Sequence, residues 1–90
     1  MRKIIRQQLE GGNKVRAKAA ERALLGFAHD FGEIDSGGRL GRFAGQNIED
    51  LMVDIAHYCD RSRLNLVSCI ATARDHYLEE TASEGSQFRD

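Results

Sequence analysis

A chain of 90 residues with no proline has nothing to stiffen its loops or to stop a helix, and here five of nine glycines fall between Gly32 and Gly45. Proline is the strongest helix breaker and glycine the next. The chain therefore divides itself into long helix-permissive segments on either side of one glycine-rich stretch. Ten alanines favour helix over strand in those segments. The expected fold class is all-α: a small helical bundle with a long basic helix, a glycine-rich connection and a C-terminal antiparallel helical hairpin.

Periodicity places the elements. Residues 2–9 read as a short helix or an irregular arm, and 1–12 as a flexible arm closed by Gly11 and Gly12. Asn13 is placed to cap a helix in which Val15, Ala19, Ala23, Phe27 and Phe31 recur every four residues, with Ala20, Leu24 and Ala28 beside them. Gly32 stands where a left-handed C-terminal cap is expected. Residues 32–46 read as a flexible connection whose Leu40 and Phe43 pack back onto the bundle. Asn47 is read as the N-cap of a second helix, with Glu49 and Asp50 complementing its dipole. Ile48, Leu51, Met52, Ile55 and Cys59 carry its apolar stripe, and Asp60 to Arg63 breaks it. Leu64 and Asn65 then match a staple and cap, Leu64 being set to meet Cys69. The last helix is expected to bury Leu66, Ile70, Ala73 and Tyr77, flanked by Val67 and Leu78, and to fray through Glu79, Glu80 and Thr81. Residues 82–90 read as a loose tail, and the whole of 1–90 as one domain.

Leu, Ile, Val and Phe number 21 of 90, only a little above the level of about 20% below which disorder is the default. The core is expected to be modest, which keeps a homo-oligomer or a partner-bound form in view. Arg2 and Lys3 precede only two apolar residues before Arg6, short of the apolar run a signal peptide needs. Charges interrupt every apolar run, so no membrane span and no membrane partner are expected, and the location is read as cytoplasmic. Cys59 and Cys69 are too few for a disulfide framework and read as buried free thiols in two different helices.

The net charge of −1 conceals a split: nine Lys/Arg stand against five Asp/Glu in residues 1–42, but four against nine in residues 43–90. In the basic half Arg2, Lys3, Arg6, Lys14, Arg16, Lys18 and Arg22 oppose only Glu10 and Glu21 over residues 1–24. Such a stripe suits phosphates, an acidic protein surface or the acidic helices of a second copy, and equally a solvated helix face. Arg39 and Arg42 extend it into the glycine-rich connection. Glu49, Asp50, Asp54 and Asp60 form the opposing acidic face.

Chemistry finds less support. Asp50, Asp54, His57 and Arg61 share one side of the second helix, but that side points away from its apolar stripe, whereas a ligand cage must face a cavity. Cys59, Cys69 and His76 fit no zinc-knuckle spacing. Cys69 and His76, as a nucleophilic pair, would sit about 10 Å apart along one helix. Gly37, Gly38 and Gly41 with Arg39 lack both the phosphate-loop and the dinucleotide fingerprints. A helix-turn-helix reading of 47–80 offers Asn65, Ser68, Ala71, Thr72 and Asp75 around a single Arg74, too acidic a set to read a duplex. No catalytic residue, metal or cofactor is expected.

The run Asn47 to Asp60, followed by Leu64-Asn65-Leu66 and Ala71 to Glu80 with the paired aromatic steps His57-Tyr58 and His76-Tyr77, resembles the helical hairpin of short proteins encoded by bacterial phages and integrative elements. The resemblance implies a mobile-element accessory protein, a class that includes proteins blocking host defence by binding a host component. With the charge split, the expected function is a non-enzymatic interaction protein docking on a host or phage protein. The alternative is a nucleic-acid-binding accessory or regulator that uses the basic N-terminal half.

Overall fold

The computed structural model describes residues 12–82, and it is all-α. Among these residues there are three α-helices and no strand: α1 (Gly12–Phe31), α2 (Ala44–Ser62) and α3 (Leu66–Glu80), with a 3-10 turn at Gly41–Phe43 leading into α2. Two compact units divide the chain, residues 1–58 and 59–90, with the boundary inside α2. The arm through residue 11 and the tail from residue 83 lie outside the described residues, and with them Arg2, Lys3 and Arg6.

In the first unit α1 begins one residue earlier than its expected cap, so Asn13 lies inside the helix and Gly12 belongs to it rather than to an arm. At the other end Gly32 N–H donates to Ala28 O at 3.0 Å, continuing the helical ladder by one residue. Gly32 is not left-handed; the positive-φ glycines are Gly38 (φ 77°) and Gly41 (φ 51°). The expected cap is therefore replaced by a different requirement, which Asn47 explains. A Cβ on Gly32 would overlap Asn47 Oδ1 and lie 3.2 Å from Ala28 Cα, so glycine is there to let another element approach.

That element is α2, which starts at Ala44 and not at Asn47. Leu40 is helical at φ −61°, Phe43 N–H donates to Leu40 O at 2.9 Å, and the 3-10 turn runs straight into the helix. Asn47 consequently sits within the first turns of α2 instead of capping it. Its side chain is fully buried, the one such side chain among the described residues. Asn47 Nδ2 donates to Glu33 O at 2.8 Å and to Phe43 O at 2.9 Å, while Oδ1 accepts from Glu33 N–H at 3.4 Å. One amide thus satisfies both backbone groups of Glu33, which the end of α1 has left without helical partners. Because the helix begins earlier, Glu49 and Asp50 fall past its first turn, where the dipole effect has decayed.

The glycine-rich connection shrinks accordingly to residues 32–40, and it is folded. Asp35 Oδ1 accepts from Gly37 N–H at 2.8 Å and from Arg39 N–H at 2.9 Å, an Asx turn closed on a second amide. Asp35 N–H donates to Arg39 O at 2.7 Å, and Gly38 N–H to Asp35 O at 3.0 Å. Leu40 is buried at the end of this knot and Phe43 is half-buried, as the apolar spacing suggested. A flexible linker would leave these amides to water.

In the second unit α2 runs on through Asp60 and Arg61 to Ser62, so the break falls at Arg63 to Asn65. Leu64 N–H donates to Cys59 O at 2.9 Å and Arg63 N–H to Asp60 O at 3.4 Å, the two bonds of a Schellman ending. Arg63 takes the left-handed position at φ 58°, a conformation that costs a non-glycine residue about 1–2 kcal/mol. Asn65 caps α3 as its sequence indicates, its side chain accepting from Ser68 N–H at 2.9 Å. The far end of α3 does not fray. Thr81 is buried, and both its N–H (3.0 Å) and its hydroxyl (2.8 Å) donate to Tyr77 O.

Burial departs most from expectation. Among the described residues the buried apolar ones are Ala28 and Leu40 in the first unit and Cys59 in the second. Val15, Phe31, Ile48, Met52 and Ile70, all assigned to apolar stripes, are exposed, as are Ala19, Ala23 and Ala73. Val67 is 76% exposed and Phe31 78%, the latter in a tilted ring contact with Phe27 of its own helix at a centroid separation of 5.8 Å. Leu66, Tyr77 and Leu78 are half-buried. Leu64 and Cys69 are both exposed, so no buried staple forms between them. Periodicity places these residues on shared sides of their helices, but sharing a side does not by itself bury it.

Candidate interaction surfaces

α1 presents Lys14, Lys18 and Arg22 at successive i, i+4 positions, all exposed, with Arg16 half-buried. Residues so spaced stack along one side of a helix at intervals of about 6 Å. On α2 the acidic set Glu49, Asp50, Asp54 and Asp60 is exposed, and His57 and Arg61 with it. None of Lys14, Lys18, Arg22, Glu49, Asp50 or Asp54 has an ion-pair partner among the described residues.

The loop arginines are different. Arg39 donates its N–H to Asp35, and its Nε lies 3.9 Å from Asp35 Oδ2 although the guanidinium is 81% exposed. Arg42 lies over the ring of Phe43, 4.8 Å from its centroid, a cation–π contact. Both therefore serve the loop as well as presenting charge. Beside them Ile34, Asp35, Ser36, Arg42 and Phe43 line an open cleft of about 430 Å³. With a carboxylate at one side and a ring-stacked arginine at the other, the cleft offers neither an acid–base pair nor a nucleophile with its base.

Asp35 is the titrating centre of this region. The Arg39 N–H, and after it the Gly37 N–H and the Arg39 charge, hold its carboxyl below the usual carboxylate range against the opposing effect of partial burial. A depressed pKa means that the loop is stabilised at pH values above the ordinary carboxylate pKa and loses that stabilisation as pH falls through the folded value. The protection factors of the Gly37 and Arg39 amides, with exchange referred to the intrinsic rate at each pH, should accordingly fall on acidification in the wild type. In Asp35→Asn protection should be lower at neutral pH and flat across the same range. A wild-type profile as flat as that of the variant would contradict the assignment.

Among the described residues no group of three or more His, Cys, Asp and Glu side chains is positioned to hold a metal ion. Cys59 is buried but Cys69 is exposed, correcting the expectation of two buried thiols; both are free. His76, on α3, is half-buried. No helix among the described residues is long and apolar enough to cross a membrane.

The surface also contains groups that periodicity did not single out. Val53 (56% exposed) and Tyr58 (64%) lie outside the apolar stripe of α2 and were signalled only as apolar residues interrupting its polar side. Val53 adjoins Ile48, Met52 and Glu49 on the helix surface, and together they make a mixed apolar and acidic face. No family model matches the chain, and no curated protein or solved structure matches it either.

Proposed function

We propose that this chain is a non-enzymatic helical interaction protein, encoded by a phage or mobile element, that docks on a host protein complex such as a component of a defence system. The observation that carries the reading is the coincidence, on the same helices, of unpaired charge and uncovered apolar side chains: Lys14, Lys18 and Arg22 beside Val15 on α1, and Glu49 and Asp50 beside Ile48, Met52 and Val53 on α2. Apolar area supplies affinity on docking, and charge orients and speeds the encounter. The phage and mobile-element origin rests on the resemblance of residues 47–80.

Capture from nuclease-treated host lysate tests this reading. A Lys14→Glu/Lys18→Glu/Arg22→Glu chain should lose the retained protein, with association slower by at least about tenfold at low salt. Undiminished capture would overturn the role of the basic face. The exposed row on α1 also favours a second reading, binding to nucleic acid through phosphates. Then a mobility shift seen near 50 mM salt should collapse near 200 mM, and the triple reversal should flatten the salt dependence by about three charges' worth. No shift at low salt ends that reading.

A further inference from the structure

We infer that the chain associates with a second copy of itself, α1 of each protomer docking on α2 of the other about a two-fold axis. On α1, Val15, Lys18 and Arg22 stand at i, i+3 and i+7, the spacing of a helix seam, and all three are exposed. On α2, Ile48, Glu49, Met52 and Val53 occupy one arc of the helix, bordered by Asp50, and all are exposed. Each face pairs half-exposed aliphatic side chains with charge of a single sign, and the signs are opposite. α1 carries four Lys/Arg against Glu21 and Asp30, whereas residues 44–58 carry three carboxylates and no Lys or Arg.

Both faces belong to the same unit of the fold, yet their charges have no ion-pair partner among the described residues. A partner of one charge sign would satisfy only one of them. A second copy satisfies both at once, because an isologous pairing repeats every contact and sets each basic face against an acidic one. The aliphatic residues give the pairing its apolar area: Val15 is 50% exposed, Ile48 48%, Met52 40% and Val53 56% in the isolated chain. The inference does not rest on the host-docking reading, although it draws on the same helices.

Sedimentation equilibrium of the full chain should give twice the monomer mass at micromolar concentration and moderate salt, shifting toward monomer as rising salt screens the charges. Lys18→Glu/Arg22→Glu, in which both faces are acidic, should be monomeric under these conditions, and so should Glu49→Lys/Asp50→Lys, in which both are basic. Mixing the two variants should restore a dimer, since each face then meets its opposite. Circular dichroism matching the wild type shows that the variants have folded, and the mixing result stands apart from any loss of folding in one of them. A wild type that stays monomeric at all concentrations, or a mixture that does not re-associate, would overturn the inference. If that wild-type monomer still captures a host protein that the α1 reversal releases, the host-docking reading survives while self-association fails.

Discussion

Asn47→Leu should unfold this protein tens of degrees below any surface variant, even though leucine is a better helix former and branches at the same atom. The substitution removes two donors and one acceptor from a site with no exposure to water. Glu33 would keep a C=O and an N–H with no helical partner and no amide to meet them. Leaving buried polar groups unpaired costs about 1–3 kcal/mol each, so a loss of about 2–4 kcal/mol is expected, the C=O dominating because its bond is the shorter. In a domain this small each kcal/mol moves Tm by about 4–8 °C. Asn47→Asp should be no milder, since it keeps the acceptor but loses both donors and buries a charge. Thermal and urea melts followed by circular dichroism read the effect directly. A Tm within a few degrees of the wild type for Asn47→Leu would show that the amide does not hold the end of α1 to the start of α2.

Gly32→Ala should come next in severity, for the complementary reason. Alanine is ordinarily neutral or favourable at a position where φ is not left-handed, since it limits the unfolded chain. Here the added Cβ would enter the volume of Asn47 Oδ1 and crowd Ala28 Cα. The strand of backbone after α1 would have to move off the amide, breaking the Glu33 bonds, and a cost of about 1–3 kcal/mol is expected for overpacking of this kind. The double-mutant cycle makes the prediction specific. In an Asn47→Ala background the obstruction is gone, so Gly32→Ala should fall to within about 1 kcal/mol of neutral and the two changes should be strongly non-additive. Additive effects would mean that Gly32 is required for its own backbone and not for the approach of Asn47.

These two positions also show where sequence reading stopped. Local sequence assigns both residues the roles that asparagine and glycine most often play at helix ends. Asn65 has the expected role: its side chain caps α3 through Ser68, a contact three residues away that local propensity can encode. Asn47 and Gly32 instead meet across a separation of 15 residues, and nothing in either neighbourhood distinguishes a cap from a clasp. Thr81 follows the same pattern on a smaller scale, closing α3 through Tyr77 O where charge and polarity suggested fraying. The glycines around Asp35 suggest freedom, whereas Gly37 and Arg39 each supply an amide to its carboxylate and Gly38 and Gly41 take the left-handed conformations of the turn.

The candidate surfaces were legible as charge and only partly as shape. The exposure of Lys14, Lys18 and Arg22 on one helix and of Glu49, Asp50 and Asp54 on another follows from helical periodicity, which is local. That Ile48, Met52 and Ile70 would also stay exposed does not follow from it. A periodic stripe states which residues share a side, and whether that side is covered depends on what else in the chain can reach it.

What the amino-acid order determined unaided is therefore the set of elements: three helices, the glycine-rich region between the first two, and the separation of basic from acidic charge along the chain. All of these depend on propensities and spacings within about one or two helical turns. The tertiary structure alone decided that the loop is a knot around Asp35, that Asn47 is buried as a clasp on Glu33 with Gly32 making room for it, and that the apolar faces remain open. Those outcomes turn on which groups satisfy one another across distant parts of the chain. Hydrogen-bond saturation and covered area are properties of the assembled molecule, not of any segment.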